Sequence, residues 1–123
     1  MRGVWLAPPI FLLHFLEEGP RFLAWINHRV DPDLSNAWFL GLNGVALVVT
    51  VTLAAAAALS RTRGAALAFL CWGSFLMLAN GLLHLGATAL FGEYCPGSIT
   101  AALLYLPYFA WLFVPWDVTV GVV

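Results

Sequence analysis

From Ala37 to Leu59 the chain runs for 23 residues without a charge. That exceeds the roughly 20 helical residues needed to cross a hydrocarbon core. A second such run goes from Gly64 to Phe91, uncharged apart from whatever proton His84 carries. A third goes from Ser98 to about Trp116, broken at Pro107 and Pro115. A chain of 123 residues cannot wrap all three in a water-soluble shell, because 63% of it is hydrophobic and 9% charged. Mean hydropathy of +0.93 agrees. The expectation is an all-α integral membrane protein, a four-helix bundle forming a single transmembrane domain over residues 1–123.

The expected helices are about 4–18, 37–59, 64–91 and 98–116. The first is the weakest, since Val4 to Leu16 is short and holds Pro8-Pro9. A signal peptide is the rival reading, but no small-residue cleavage site follows and Glu17-Glu18 stand in its place. The helix reaches full length by taking in Glu17 and Glu18, and Gly19-Pro20 stops or kinks it. After it, Phe22, Leu23, Trp25 and Ile26 alternate with Arg21, Asn27, His28 and Arg29, so a short interfacial segment is expected. Ser35 or Asn36 can cap the second helix and Ser98 the fourth. Trp5, Trp38, Trp111 and Trp116 fall near helix ends, as interfacial anchors do. Arg61-Thr62-Arg63 places the second connection in the cytoplasm by the positive-inside rule, and with it both termini.

Net charge is −1 with five basic residues, which argues against a nucleic-acid surface. Cys71 and Cys95 fall on opposite sides of the third helix and cannot pair within one chain; Cys71 reads as a packing residue and Cys95 as a free thiol. Ala54 to Ala58 and the glycines of the third helix offer close-packing surfaces, on which a homodimer is expected. Thr50, Thr52, Thr88 and Thr100 are expected to bond back to their own helices. His28, Glu93 and Asp117 read as solvated.

The polar residues inside the helices are the chemically informative ones, because a charge in hydrocarbon costs several kcal/mol unless partnered. Counting 1.5 Å per residue from each helix centre puts His84 roughly 9 Å off the midplane on the outer side. Asn80 lies one turn deeper. Asn43, Glu17, Glu18 and Tyr105 reach a similar depth, with His14 one turn below the two acids. Helical spacing sets His14 and both carboxylates on one face of the first helix, and Asn80, His84 and Thr88 on one face of the third.

Three chemistries suit such a layer. His14, Glu17, Glu18 and His84 can ligate a divalent metal such as zinc, with the spare glutamate acting as base toward water. Without a metal, Glu17 or Glu18 can serve as general base while Asn80 or a histidine stabilises an oxyanion. The third is proton or ion passage, for which four helices leave little room. The favoured expectation is an enzyme that hydrolyses or hydrates a lipid-like substrate, with Glu17, Glu18 and Asn80 catalytic. The alternative is a non-catalytic small subunit of a larger membrane complex, with membrane lipid as the other partner.

His14-Phe15-Leu16-Glu17-Glu18 resembles the motif of a family of small bacterial membrane proteins named for H-x-x-E-E. Gly19-Pro20-Arg21-Phe22 through Trp25, the Asn80/His84 pair and the Tyr94-Cys95-Pro96-Gly97 turn are similar to that family's later landmarks. The resemblance implies four membrane helices, a bacterial inner-membrane location and suspected enzymatic activity with no established substrate. A fainter chemical likeness to intramembrane CAAX-type proteases rests on the paired glutamates. It fails on the position of Arg21, on the order of Asn80 and His84, and on helix number.

Overall fold

The structure, a computed structural model, describes residues 3–113. Arg2, Trp116 and Asp117, and the end of the expected fourth helix, lie outside the described residues. No strand occurs among them. After a 3-10 turn at Val4–Leu6, helix α1 runs Ala7–Arg29, α2 Asn36–Ser60, α3 Arg63–Phe91 and α4 Ser98–Leu112. Two of these, α2 and α3, are long and apolar enough to cross a membrane.

Each boundary has a local cause. Pro8 and Pro9 occupy the first turn of α1, where their missing N–H groups have no helical partner to lose. Ser35 caps α2, its Oγ accepting from the Trp38 N–H at 3.1 Å, and Thr62 caps α3 through the Ala65 N–H. The expected Ser98 cap is not used. The residue before α4 is Gly97 with φ 102°, and Ser98 is spent on tertiary bonds instead.

Helix α1 breaks directly after Glu18, at the Gly19-Pro20 step where a stop or kink is expected. Gly19 takes φ 36° and ψ −141°, a conformation open mainly to glycine, and helix resumes to Arg29. The amphipathic segment is thus the second limb of a kinked helix, and the kink falls immediately after the H-x-x-E-E motif. Two π-helical stretches, Ser74–Ala79 in α3 and Ala101–Tyr105 in α4, stand beside the polar layer. Each adds a residue to a turn and so rotates the remainder of its helix. The first immediately precedes Asn80, and the second starts after Thr100 and carries Tyr105.

The core is built from Phe11, Phe69, Leu76, Met77, Tyr105 and Leu112, with Val4 and Ala7 at one end. Ala54 and Ala57 join that cluster, fully buried inside their own chain. Of the alanines expected to offer a surface to a second copy, Ala54 and Ala57 are thus taken up within the chain, and Ala55, Ala56 and Ala58 stay partly exposed. Gly81 is likewise taken, packed beneath Ala101, Tyr105 and Leu106. Cys71 is exposed rather than packed.

Candidate metal and acid–base site

His14 and Glu18 are one helical turn apart on α1, and the last turn before the Gly19 kink presents both inward. From α3, one turn past the π stretch and Asn80, His84 meets them. Glu18 Oε1 lies 3.3 Å from His14 Nε2 and 2.9 Å from His84 Nε2. Both imidazoles are fully buried, and the glutamate is 4% exposed. The two rings stand edge to face at 4.9 Å, and Tyr105 stacks on His14 at 4.2 Å.

Counting hydrogens fixes the chemistry of His14. Thr100 Oγ1 has one hydrogen and donates it to the Glu17 carboxylate, which has none to give. The 2.7 Å contact from His14 Nδ1 to the same Oγ1 must then carry the hydrogen on Nδ1. His14 Nε2 is left with its lone pair facing Glu18, with only a 3.4 Å approach from Asn80 Nδ2. A lone pair and a carboxylate oxygen 3.3 Å apart repel unless a cation lies between them, whether a proton or a metal ion. His84 Nε2, for its part, makes no aligned hydrogen bond despite its proximity to the glutamate.

His14, Glu18 and His84 could together hold a metal of the zinc type. The three ligand atoms lie within 4.8 Å of one another. Tetrahedral bonds of about 2.0–2.1 Å place neighbouring ligands about 3.3 Å apart. The His14–Glu18 edge matches that spacing, and the His84–Glu18 edge at 2.9 Å is slightly short. Second contacts orient both rings, as metal-ligating histidines require: Thr100 for His14, and Cys95 Sγ at 3.4 Å from Nδ1 for His84.

Glu17, expected as a further ligand, lies outside this group. It points to the start of α4, accepting from the Ile99 N–H at 3.0 Å, the Thr100 N–H at 2.8 Å, the Thr100 hydroxyl and the Tyr94 hydroxyl at 2.5 Å. A carboxylate on a helix N-terminus satisfies N–H groups that have no helical acceptor. Arg21 is exposed. Burial and the hydrogen bond to Glu17 push the Tyr94 phenol up to about 12.

Asn80 reaches the site; Asn43 does not, bonding back to the Phe39 carbonyl at 3.0 Å. Thr50 and Thr52 make the expected back-bonds to Ala46 and Val48, and Thr50 also accepts from Trp72 Nε1. Thr88 does not behave as expected, whereas Thr100 keeps a back-bond to the Gly97 carbonyl at 3.2 Å in addition to its contacts with Glu17 and His14. Thr88 accepts from the Cys95 N–H and bonds Ser98 Oγ, which donates to the His84 carbonyl. That chain of small hydroxyls ties the Tyr94–Gly97 turn to the backbone of the histidine. Cys95 itself is buried, its thiol pushed up to about 11 by burial and by the charges of Glu18 and Glu17. Glu93 pairs with Arg29, whose guanidinium also covers the Phe91 ring; His28 is exposed, as expected.

Gly97 completes the enclosure. A Cβ there would stand 2.7 Å from His84 Cε1 and 2.9 Å from His14 Cε1. The turn thus presses its backbone onto both imidazoles at a point where no other residue fits.

The motif residues, the second histidine and the turn that covers them therefore form one connected unit spanning α1, α3 and α4. The sequence profile of the family described as "Protein of unknown function with HXXEE motif" matches residues 5–112. The chain belongs to this family. Neither the curated proteins nor the solved structures give a match. Within the HXXEE match lie all the residues that build the site, from His14 to Tyr105.

Proposed function

We propose that this HXXEE-family chain is an integral membrane enzyme, a four-helix bundle that hydrolyses or hydrates a lipid-like substrate at His14, Glu18 and His84. One observation carries the reading: two buried imidazole Nε2 atoms converge on a single carboxylate oxygen, and that glutamate also lines an apolar cavity of about 410 Å³. The membrane setting is supported by how little of the apolar surface the chain hides. Only 17% of the most apolar window of α2 is buried, whereas the core helix of a soluble protein is mostly covered. The side chains of Leu40, Val45, Val48, Leu59, Leu90 and Leu103 are all more than half exposed. The Arg61–Arg63 connection then faces the cytoplasm, in a bacterial inner membrane as the family resemblance implies.

The residues divide the work between them. His14, His84 and Glu18 would hold a divalent ion of the zinc type, which would supply Lewis acidity and acidify water. Glu18 faces both imidazoles through one oxygen and takes a proton from water at the cavity wall through the other. Asn80 Nδ2 donates a hydrogen bond toward the oxygen on which negative charge develops. Thr100 and Cys95 hold the rings in orientation.

The test is elemental analysis of protein purified in detergent without a metal-chelating tag. About one divalent ion per chain is expected, lost in Glu18→Gln and His84→Ala and retained in His28→Ala. Folded wild-type protein devoid of metal after incubation with zinc would refute the metal-assisted reading. Metal-free protein that co-purifies stoichiometrically with another membrane protein would favour the subunit reading instead.

A further inference from the structure

The cavity beside Glu18 restricts what the site can take. Glu18, Asn43 and Asn80 are its polar residues. The other residues along it are aliphatic or aromatic, and neither lysine nor arginine is among them. An anionic headgroup would meet a carboxylate and no cationic side chain, whereas carboxamides suit a neutral group such as an ester, amide or alcohol.

Size is equally restrictive. At about 30 Å³ per water-sized group, about 410 Å³ holds roughly 14 non-hydrogen atoms, so the trough itself seats one short chain. The shape is a trough. Its lining runs from Trp38 to Ala46 along α2 and from Trp72 to Leu83 along α3, about 12 and 16 Å at the helical rise. Leu42, Val45, Phe75 and Leu83 along it are each more than half exposed, so its mouth opens sideways between α2 and α3 onto apolar surface. A ligand enters from the hydrocarbon side, passes Phe39 and Phe22, and brings its polar end to Glu18. Phe22, whose ring lies 5.2 Å from that of His84, separates the trough from the second imidazole.

We infer that the substrate is a neutral single-chain amphiphile with a tail of roughly ten to twelve carbons, an inference that rests on the enzymatic reading of Glu18. The tail lies in the α2–α3 trough and the scissile or hydratable group sits at Glu18 and Asn80. A second chain would have to lie outside the trough, and a fatty-acid anion would meet the bare Glu18 carboxylate wherever no cation is bound there.

Native mass spectrometry of the full chain, delipidated in detergent, tests this with three probes: monoacylglycerols of about eight to eighteen carbons, the fatty acids of the same lengths, and a two-chain phosphatidylglycerol. The expected result is one saturable equivalent of monoacylglycerol, tightest near ten to twelve carbons. It should exceed the fatty acid of equal length and the phosphatidylglycerol by about tenfold or more. Ala46→Phe, which fills the trough away from the histidines, weakens that binding about tenfold while leaving the metal content of the chain unchanged. Where Ala46→Phe does not fold, Leu83→Trp at the exposed rim serves the same purpose. Equal binding of all lengths, of the fatty acids or of phosphatidylglycerol would overturn the inference. Selective binding by a chain that takes up no metal would sink the metal-assisted reading alone, and metal uptake without chain-length selectivity would sink this inference alone.

Discussion

Replacing Gly97 by alanine is the sharpest probe of the site, because two separable costs can be read from the geometry. The backbone there has φ 102°, a region that costs an L-residue about 1–2 kcal/mol. The added Cβ would stand 2.7 Å from His84 Cε1. Ordinary contact begins near 3.4 Å, so the ring or the turn must retreat by about 0.7 Å. Both rings are fully buried, and overpacking of this kind costs about 1–3 kcal/mol. The sum is about 2–5 kcal/mol. Gly92→Ala provides the control, since Gly92 has φ 64° but open space where its Cβ would go; it carries only the backbone cost of about 1–2 kcal/mol. Unfolding of both variants in the same mixed micelles should separate them by about 1–3 kcal/mol, or roughly 3–15 °C in Tm for a chain of this size. Gly97→Ala should also lower metal occupancy, which Gly92→Ala should leave unchanged. Equal destabilisation by the two substitutions would mean that the turn does not press on the imidazoles, and the enclosed-site argument would fail with it.

The paired glutamates should separate by readout: Glu18→Gln abolishes metal uptake, whereas Glu17→Gln lowers stability by about 1–3 kcal/mol yet keeps metal within about tenfold, as elemental analysis and denaturant titration would show. Thr100→Val strips the hydroxyl shared by Glu17 and His14 and should weaken metal binding about 10–100-fold, while Thr100→Ser restores it. Cys95 should resist a small maleimide until the chain unfolds, because it is buried and its thiol stands at about 11; mass spectrometry of the labelled peptides decides it. The Tyr94 phenol is held at about 12 against an ordinary 10, so the unfolded chain loses that proton first and stability falls as pH rises between those values. Tyr94→Phe should flatten that fall in a pH series of unfolding curves.

Much of the scaffold is legible in the sequence because its signals are local. The uncharged run from Ala37, preceded by Ser35, gives α2 within one residue at each end, and the next uncharged run does the same for α3. The depth count also brings His14, Glu18, Asn80, His84 and Tyr105 to within about one helical turn of each other, and they do meet, but it sets Asn43 and Glu17 there too. What the count does not carry is azimuth. It cannot tell that Glu17 and Glu18, about 100° apart on a helix of 3.6 residues per turn, must face different neighbours. Nor does helical rise report on tertiary partners. Thr88, Ser98 and Thr100 read as back-bonding or capping residues from their own helices, yet each is claimed by a neighbouring element. Gly97 and Cys95 are visible only as part of a turn. A glycine after Pro96, just ahead of a helix that has Thr100 three residues on, is the available sign of a tight backbone approach.

The adjacency of the two acids also explains why the motif is more than a ligand pair. Glu18 sits one turn from His14 and shares its face, so α1 alone supplies two of the three converging groups. A helix cannot by itself fix the height of α4, which bears the residue that sets the tautomer of His14. Glu17, one step back along α1 and therefore turned away from the pocket, reaches the first N–H groups of α4 and the hydroxyl of Thr100. Through that hydroxyl its charge keeps the hydrogen on His14 Nδ1 and frees Nε2 to face Glu18. One carboxylate thus docks the helix that orients the histidine, and the other confronts the histidine so oriented. Exchanging their neighbours by moving either acid one position along α1 would rotate it by about 100° and disable both tasks together.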